Sequence, residues 1–205
     1  MYTIYNEDEG REQTVAEPDP SYTYTYADYL QWKFLERLEL LRGKIFKMGA
    51  PNTLHQVVTG NLYGEMRNFL KGKSCQVFVA PYDVRLPVKN RRRDDEIDTV
   101  VQPDVCIVCD PSKVDQRGIC GAPDLVIEVL SPGNSQKEVR YKYEIYEEAG
   151  VREYWVVSPA EQNLVVFILT EEGKFGSARM YTSGDKLVMN ILPGFAINVT
   201  ELFTN

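Results

Sequence analysis

Long apolar runs, histidine and cysteine are all scarce in this chain of 205 residues. No hydrophobic stretch approaches the ~20 residues that a membrane-spanning helix needs. The start, Met1-Tyr-Thr-Ile-Tyr-Asn-Glu-Asp-Glu, has neither the cationic nor the apolar part of a secretory signal. Cys75, Cys106, Cys109 and Cys120 are too few for a disulfide scaffold at this length. A soluble cytoplasmic protein with no membrane partner is therefore expected. Cys106-x-x-Cys109 is not a zinc motif either, because residues three apart in a strand point to opposite faces. His55 is the only histidine, and one imidazole cannot make a metal site by itself. It is a core or cap residue of a helix, or an accessory of a site.

Basic excess is missing too. The net charge is −7, and residues 1–20 hold Glu7, Asp8, Glu9, Glu12, Glu17 and Asp19 against Arg11, a local balance of −5. The other 185 residues thus carry only −2. An acidic total opposes non-specific binding of nucleic acid, but here most of the excess is concentrated at one end. Residues 1–21 are polar, rich in Pro and Glu and without period, so they predict a disordered acidic tail. Residues 22–205 are expected to form a single domain.

Within that domain, Leu30, Phe34, Leu38 and Leu41 recur at helical spacing, and Gly43 marks a stop. A second helix is predicted over 53–70 from Leu54, Val57, Val58, Leu62, Met66 and Phe69. Strands are expected at 44–48, 75–86, 100–108 and 124–130. A third helix follows at 135–149, closed by Gly150, and further short strands lie beyond it. The charged loop 89–98 sets Arg91, Arg92 and Arg93 against Asp94, Asp95 and Glu96. The whole predicts an α+β fold with helices at the front and a largely antiparallel sheet.

Two strands carry acids in apolar company. In Pro123-Asp-Leu-Val-Ile-Glu-Val-Leu130, Glu128 stands inside a run that reads as a strand covered on both faces. A carboxylate there is costly unless a metal, a cation or a proton compensates. Gln102-Pro-Asp-Val-Cys-Ile-Val108 repeats the pattern around Asp104. If the two strands run antiparallel, Asp104 lies beside Glu128. Two such carboxylates repel unless a divalent cation lies between them, so Glu128→Gln is expected to stabilise the metal-free protein. Oxygen donors of this kind suit magnesium or manganese. The alternative is a Glu128 that pairs with a core Arg or Tyr. Asp124, after a proline at the strand start, reads as a turn or cap residue.

The third helix puts Val139, Lys142, Tyr143 and Tyr146 on one stripe, with Lys137, Arg140, Glu144 and Glu147 opposite. Lys142 is the one cation on the inward stripe. It either snorkels at the edge or reaches the carboxylate pair, where it would stabilise developing negative charge. Asp83 has ordinary partners to hand in Arg85 and the arginines at 91–93.

Pro103-Asp104, Gly121-Ala-Pro-Asp-Leu-Val-Ile-Glu-Val-Leu-Ser-Pro132, Lys142-x-x-x-Tyr146 and Gly150-Val-Arg-Glu-Tyr-Trp-Val-Val157 together resemble the Uma-type putative restriction endonuclease family. That family is part of the PD-(D/E)XK nuclease superfamily. Ala80-Pro-Tyr-Asp-Val-Arg-Leu86, Cys109-Asp-Pro-Ser-Lys113 and Leu192-Pro-Gly-Phe195 extend the likeness from about residue 24 to 203.

The resemblance implies a restriction-endonuclease-like fold and magnesium- or manganese-dependent hydrolysis of phosphodiesters, with DNA as the expected substrate. By position, Asp104 matches the superfamily's strand aspartate and Glu128 its second metal ligand. Leu130 stands where the superfamily has its lysine, and Lys142 matches a substitute from the following helix. Glu39 matches an acidic metal ligand on the first helix, and His55 a position where the family often has histidine. Pairing into a homodimer, so that two sites cut two strands, is implied as well. The alternative function is a catalytically inactive module that keeps the nuclease fold and binds nucleic acid or protein.

Overall fold

The structure, a computed structural model, describes residues 2–6, 11–15, 18–88, 91–131 and 136–204. In its first part lie β1 (Tyr2–Asn6), β2 (Arg11–Val15), α1 (Tyr26–Tyr29), β3 (Leu38–Leu41), β4 (Lys44–Lys47) and α2 (Thr53–Leu70). Then come β5 (Gln76–Val79), β6 (Val84–Arg85), β7 (Val100–Val101), β8 (Val105–Val108), β9 (Val114–Asp115), β10 (Gly118–Cys120) and β11 (Leu125–Val129). The last part holds α3 (Gln136–Ala149), β12 (Glu153–Ser158), β13 (Asn163–Ile168), β14 (Arg179–Thr182), β15 (Lys186–Val188), β16 (Ala196–Asn198) and α4 (Val199–Leu202).

The chain divides into two compact units rather than the single domain expected. One comprises Met1–Ala50 with Arg85–Val101, the other Pro51–Val84 with Gln102–Asn205. In the first unit, residues 2–6 and 11–15 form an antiparallel ribbon instead of a disordered tail. Its attachment is local and specific. The Tyr2 ring packs 4.9 Å from Phe34, Leu35 N donates to Thr3 O, and both carboxylate oxygens of Glu36 accept from Thr3 N.

The first helix is also shorter than its periodicity suggested. Only Tyr26–Tyr29 is helical, opened by Thr25 and Asp28 in a capping box. Leu38–Leu41 is a strand, buried along its whole length and paired with β4. Arg42 and Gly43 both have positive φ, 49° and 74°, which is the two-residue hairpin turn that keeps strand twist. The glycine that reads as a helix stop is thus a hairpin turn. Glu39 consequently stands on a strand, opposite Phe46, and not on a helix.

The second unit is built on a six-stranded sheet in the order β14-β13-β12-β11-β8-β5. Only β11 and β12 run parallel; the other neighbours are antiparallel. α2 lays Val58, Leu62, Met66 and Leu70 against one face, on Ile107, Leu125, Ile127, Trp155 and Val157. The i, i+4 recurrence of those four residues is what makes one face of the helix apolar. Alternate residues of the same strands, Val126, Glu128, Tyr154, Val156, Val165 and Phe167, point to the other face, where α3 lies. Tyr146 and Tyr143 of α3 meet Tyr154 and Phe167 there, with ring centroids 5.0 Å apart in each case. A disulfide joins Cys75 and Cys109 one step beyond the Gln76–Val108 pair that ends the β5–β8 ladder. A single bond of this kind is not the disulfide scaffold that the low cysteine count excludes.

Candidate active site

β8 and β11 pair with Leu125 opposite Ile107, Val126 opposite Cys106 and Ile127 opposite Val105. The next step in that register sets Glu128 opposite Asp104. Two neighbouring bonds fix which way this pair faces: β11 gives Leu130 N to Val157 O, and Asp124 O accepts from Glu153 N. Even-numbered residues of β11 therefore turn their backbone toward β12, so Glu128 and Asp104 are a non-hydrogen-bonded pair, the kind in which side chains lie closest. The antiparallel arrangement read from the sequence is the one observed.

The ladder ends there: Pro103, which has no N–H to give, stands two residues before the start of β8, and the Asp104 side chain meets the β11 backbone instead. Asp104 Oδ2 accepts from Val129 N at 2.7 Å, capping the strand. Its Oδ1 lies 3.2 Å from His55 Nε2. His55 is held at the start of α2, where the Asn52 side chain accepts from its backbone N–H at 2.8 Å, and its Nδ1 lies 3.4 Å from Thr59 Oγ1. His55 is therefore a cap-turn residue and a partner of Asp104 at once.

Glu128 is met from α3. Lys142 Nζ donates to its two carboxylate oxygens at 3.0 and 3.1 Å, and Tyr146 OH donates to Oε1 at 2.5 Å. Lys142 is buried, 5% exposed, so the inward stripe places it where the periodicity said. α3 ends just past Tyr146 in a Schellman motif: Val151 N bonds Tyr146 O, Gly150 N bonds Glu147 O, and Gly150 has φ 85°. Burial and the Glu128 carboxylate together push the neighbouring Cys106 thiol up to about 12, which keeps it protonated and inert. The negative charge of Glu128 is balanced by Lys142 rather than left facing Asp104 alone.

Several other residues find structural roles. Asp124 caps its strand, accepting from Cys109 N at 2.8 Å and from Arg152 at 3.1 Å. Asp83 accepts from Gln102 at 2.9 Å. Glu39 belongs to the first unit and is buried there. The side chain of Lys137 lies outside the described residues. Among the described residues, no three His, Cys, Asp or Glu side chains gather into a metal cage. Tyr146 is the participant that spacing alone did not single out for contact with Glu128. Its signal was the i, i+4 step from Lys142 on the same stripe.

The family model described as "Putative restriction endonuclease", Uma2, matches residues 26–200. The chain belongs to that family. A Synechocystis protein, slr1290, which is uncharacterized, is 26% identical over 176 residues, 84% of this chain and 88% of its own length. The chain also superposes on the crystal structure of a putative nuclease of the DUF820 family from Anabaena variabilis, with a TM-score of 0.68. That likeness covers 88% of this chain and 97% of the other at 19% identity. The fold of this Uma2 protein is α+β and restriction-endonuclease-like. No helix among its described residues is long and apolar enough to cross a membrane.

Proposed function

We propose that this chain is a magnesium-dependent endonuclease that hydrolyses phosphodiester bonds in DNA. The observation that carries the reading is the facing pair Asp104 and Glu128 at the end of β8 and β11, with Lys142 reaching over from α3. The donor chemistry fits the ion. Magnesium is commonly held by one or two carboxylates and completes its shell with water and substrate phosphate, so a pair is enough. An all-protein cage of the kind zinc takes has no counterpart among the described residues. Asp104 and Glu128 would hold the ion, and manganese would fit the same donors.

When bound, magnesium supplies a water of lowered pKa and neutralises charge on the scissile phosphate. The side chains do the rest. His55 and the Val129 N–H fix the Asp104 carboxylate, and Tyr146 fixes that of Glu128. Lys142, released from part of its contact with Glu128, orients the attacking water or stabilises the charge that builds on phosphorus oxygens. Pairing of two copies, each cutting one strand, belongs to the same reading, and sedimentation of the full chain measures it.

The test is incubation of single-stranded DNA, duplex DNA and RNA with the protein in magnesium, in manganese and in EDTA. Cleavage of DNA in either metal, abolished by EDTA and reduced about a hundredfold or more by Lys142→Ala, is expected. Absence of cleavage in both metals overturns the reading. The closed set of Glu128, Lys142 and Tyr146 favours a second one, a binding module that keeps the fold without turnover. Such a module would bind nucleic acid equally well with and without divalent ion.

A further inference from the structure

Beside the carboxylates, on the same face of the sheet, lies a cavity of about 510 Å³. Its floor is Tyr154, Val156, Val165 and Phe167, and its wall is Val139 and Tyr143 of α3. The strand register ties it to the site: Val156 is the parallel neighbour of Glu128, and Val165 is the antiparallel neighbour of Val156. One strand spacing, about 5 Å, separates Glu128 from the near edge of the cavity floor at Val156, and two, about 10 Å, from Val165 on its far strand. A second, smaller cavity reaches Glu128 and Lys142 and shares Val139 and Tyr154 with the large one. The lining is mainly aromatic and apolar, with Ser131, Gln136 and Arg140 as its polar members; the Arg140 side chain is mostly exposed and its Nε donates to Glu144 at 3.1 Å.

Such a pocket has no part in binding phosphate, yet it opens one nucleotide's reach from the residues proposed to hydrolyse one. A volume in this range suits a small organic group. Flat aromatic side chains are what an unstacked base prefers, since every base presents a π-face. Enzymes acting on nucleic acid often draw a single base out of the stack into an apolar pocket. The Arg140 guanidinium at the margin, whose Nε is engaged by Glu144, would reach the next phosphate along the strand through its terminal nitrogens.

We infer that this cavity binds one unpaired nucleobase of the strand whose phosphate lies at Asp104 and Glu128. The inference rests on the endonuclease reading and deepens it. The substrate is a single strand, or a duplex opened at the cut, and the aromatic pocket selects it. Tyr143 and Phe167 would stack on the base, and Val165 would set the depth to which it enters.

The test compares a short, end-labelled single-stranded DNA oligonucleotide with a set of the same strand, each member carrying an abasic residue at a different position. Binding to the full chain is followed by fluorescence anisotropy in calcium, and cleavage of the same strands is followed in magnesium. Removing the base at one position is expected to weaken binding by about tenfold or more. Val165→Trp, which fills the cavity without removing a ring, should erase that difference, and Tyr143→Leu should reduce it. Both variants are checked for native melting.

Equal binding of intact and abasic strands by the wild type overturns the inference, even if both strands are cut. A base effect that both variants leave untouched overturns it too, because the base then sits elsewhere. A base effect without cleavage of any strand in magnesium or manganese supports the pocket and overturns the endonuclease reading. Failure to bind either strand overturns the inference, and cleavage of duplex DNA then decides the endonuclease reading separately.

Discussion

Glu128 occupies a costly place for a carboxylate, inside a strand with apolar neighbours on both sides, and it is tolerated because Lys142 and Tyr146 reach it. The sequence predicts relief of repulsion on Glu128→Gln, since it shows two facing acids and hides their partners. The observed ion pair reverses the sign. Removing one partner of a buried pair leaves the other charge without compensation, at a cost of about 3–5 kcal/mol. Glu128→Gln should therefore lower the urea midpoint. Adding Lys142→Met to it should cost less than the two single losses combined, because the stranded charge disappears. The same logic tests the proposed metal site. With Lys142→Met alone, Glu128 has lost its cation, so magnesium should raise the melting temperature more than it does in wild type. A smaller rise would count against Asp104 and Glu128 as its donors. Glu36 offers a second residue-level test. Hydrogen bonds from Thr3 N–H and the Lys47 ammonium hold its carboxyl at about 2, below its ordinary 4.5. The folded state then binds fewer protons than the unfolded one, so this contribution is complete above pH 4.5 and is lost as pH falls toward 2. Protection of the Thr3 amide against hydrogen exchange should fade across that window. In Glu36→Gln it should be weak throughout, and an identical pH profile in the two proteins would remove Glu36 as the cause.

Among the elements, the disulfide ties β5 to β8 and is a bond that local sequence did not indicate. Cys75 and Cys109 are 34 residues apart, and closing a loop of that length is worth about 3–4 kcal/mol through the unfolded chain. Cys75→Ser should lower stability by that order in oxidising buffer and by almost nothing in excess reductant, as paired melts would show. If the two proteins melt alike under both conditions, the bond contributes nothing. What the sequence revealed and what it hid divide along the same line. α2 and α3 were legible because their apolar residues repeat at i, i+4, a pattern that only a helix satisfies over so long a span. The facing of Asp104 and Glu128 was legible because two acid-bearing apolar runs, read as an antiparallel pair, permit that register. Leu38–Leu41 was not, because a buried run of four residues suits a helix or a strand equally and the decision belongs to β4 across the Arg42-Gly43 turn. The Cys75–Cys109 pair requires β5 beside β8, and the cavity requires β13 beside β12. Such adjacencies lie between residues far apart in sequence, and local periodicity carries no information about them.

For the molecule as a whole, electrostatics set how nucleic acid can be bound. The chain carries −7, and six of its acids fall within residues 1–20, where residues 2–6 and 11–15 form the β1–β2 ribbon. The arginines at 91–93 do not offset this: Arg93 is paired with Asp95, whose carboxylate it holds below the usual range. Affinity gained from a broad basic surface would appear as a steep fall with salt, since each neutralised phosphate releases condensed counterions. A protein that relies on a carboxylate-held ion at one phosphate and a stacked base beside it neutralises few. The logarithm of the binding constant for single-stranded DNA should accordingly fall with the logarithm of salt at a slope of about −1 to −2, equivalent to roughly two or three phosphates at −0.7 each. Anisotropy titrations over a salt series at fixed divalent concentration give the slope directly. Arg91→Ala with Arg92→Ala should change it by less than one contact's share. A slope of about −5 or steeper would mean that a basic surface, and not the ion and the aromatic pocket, supplies the affinity.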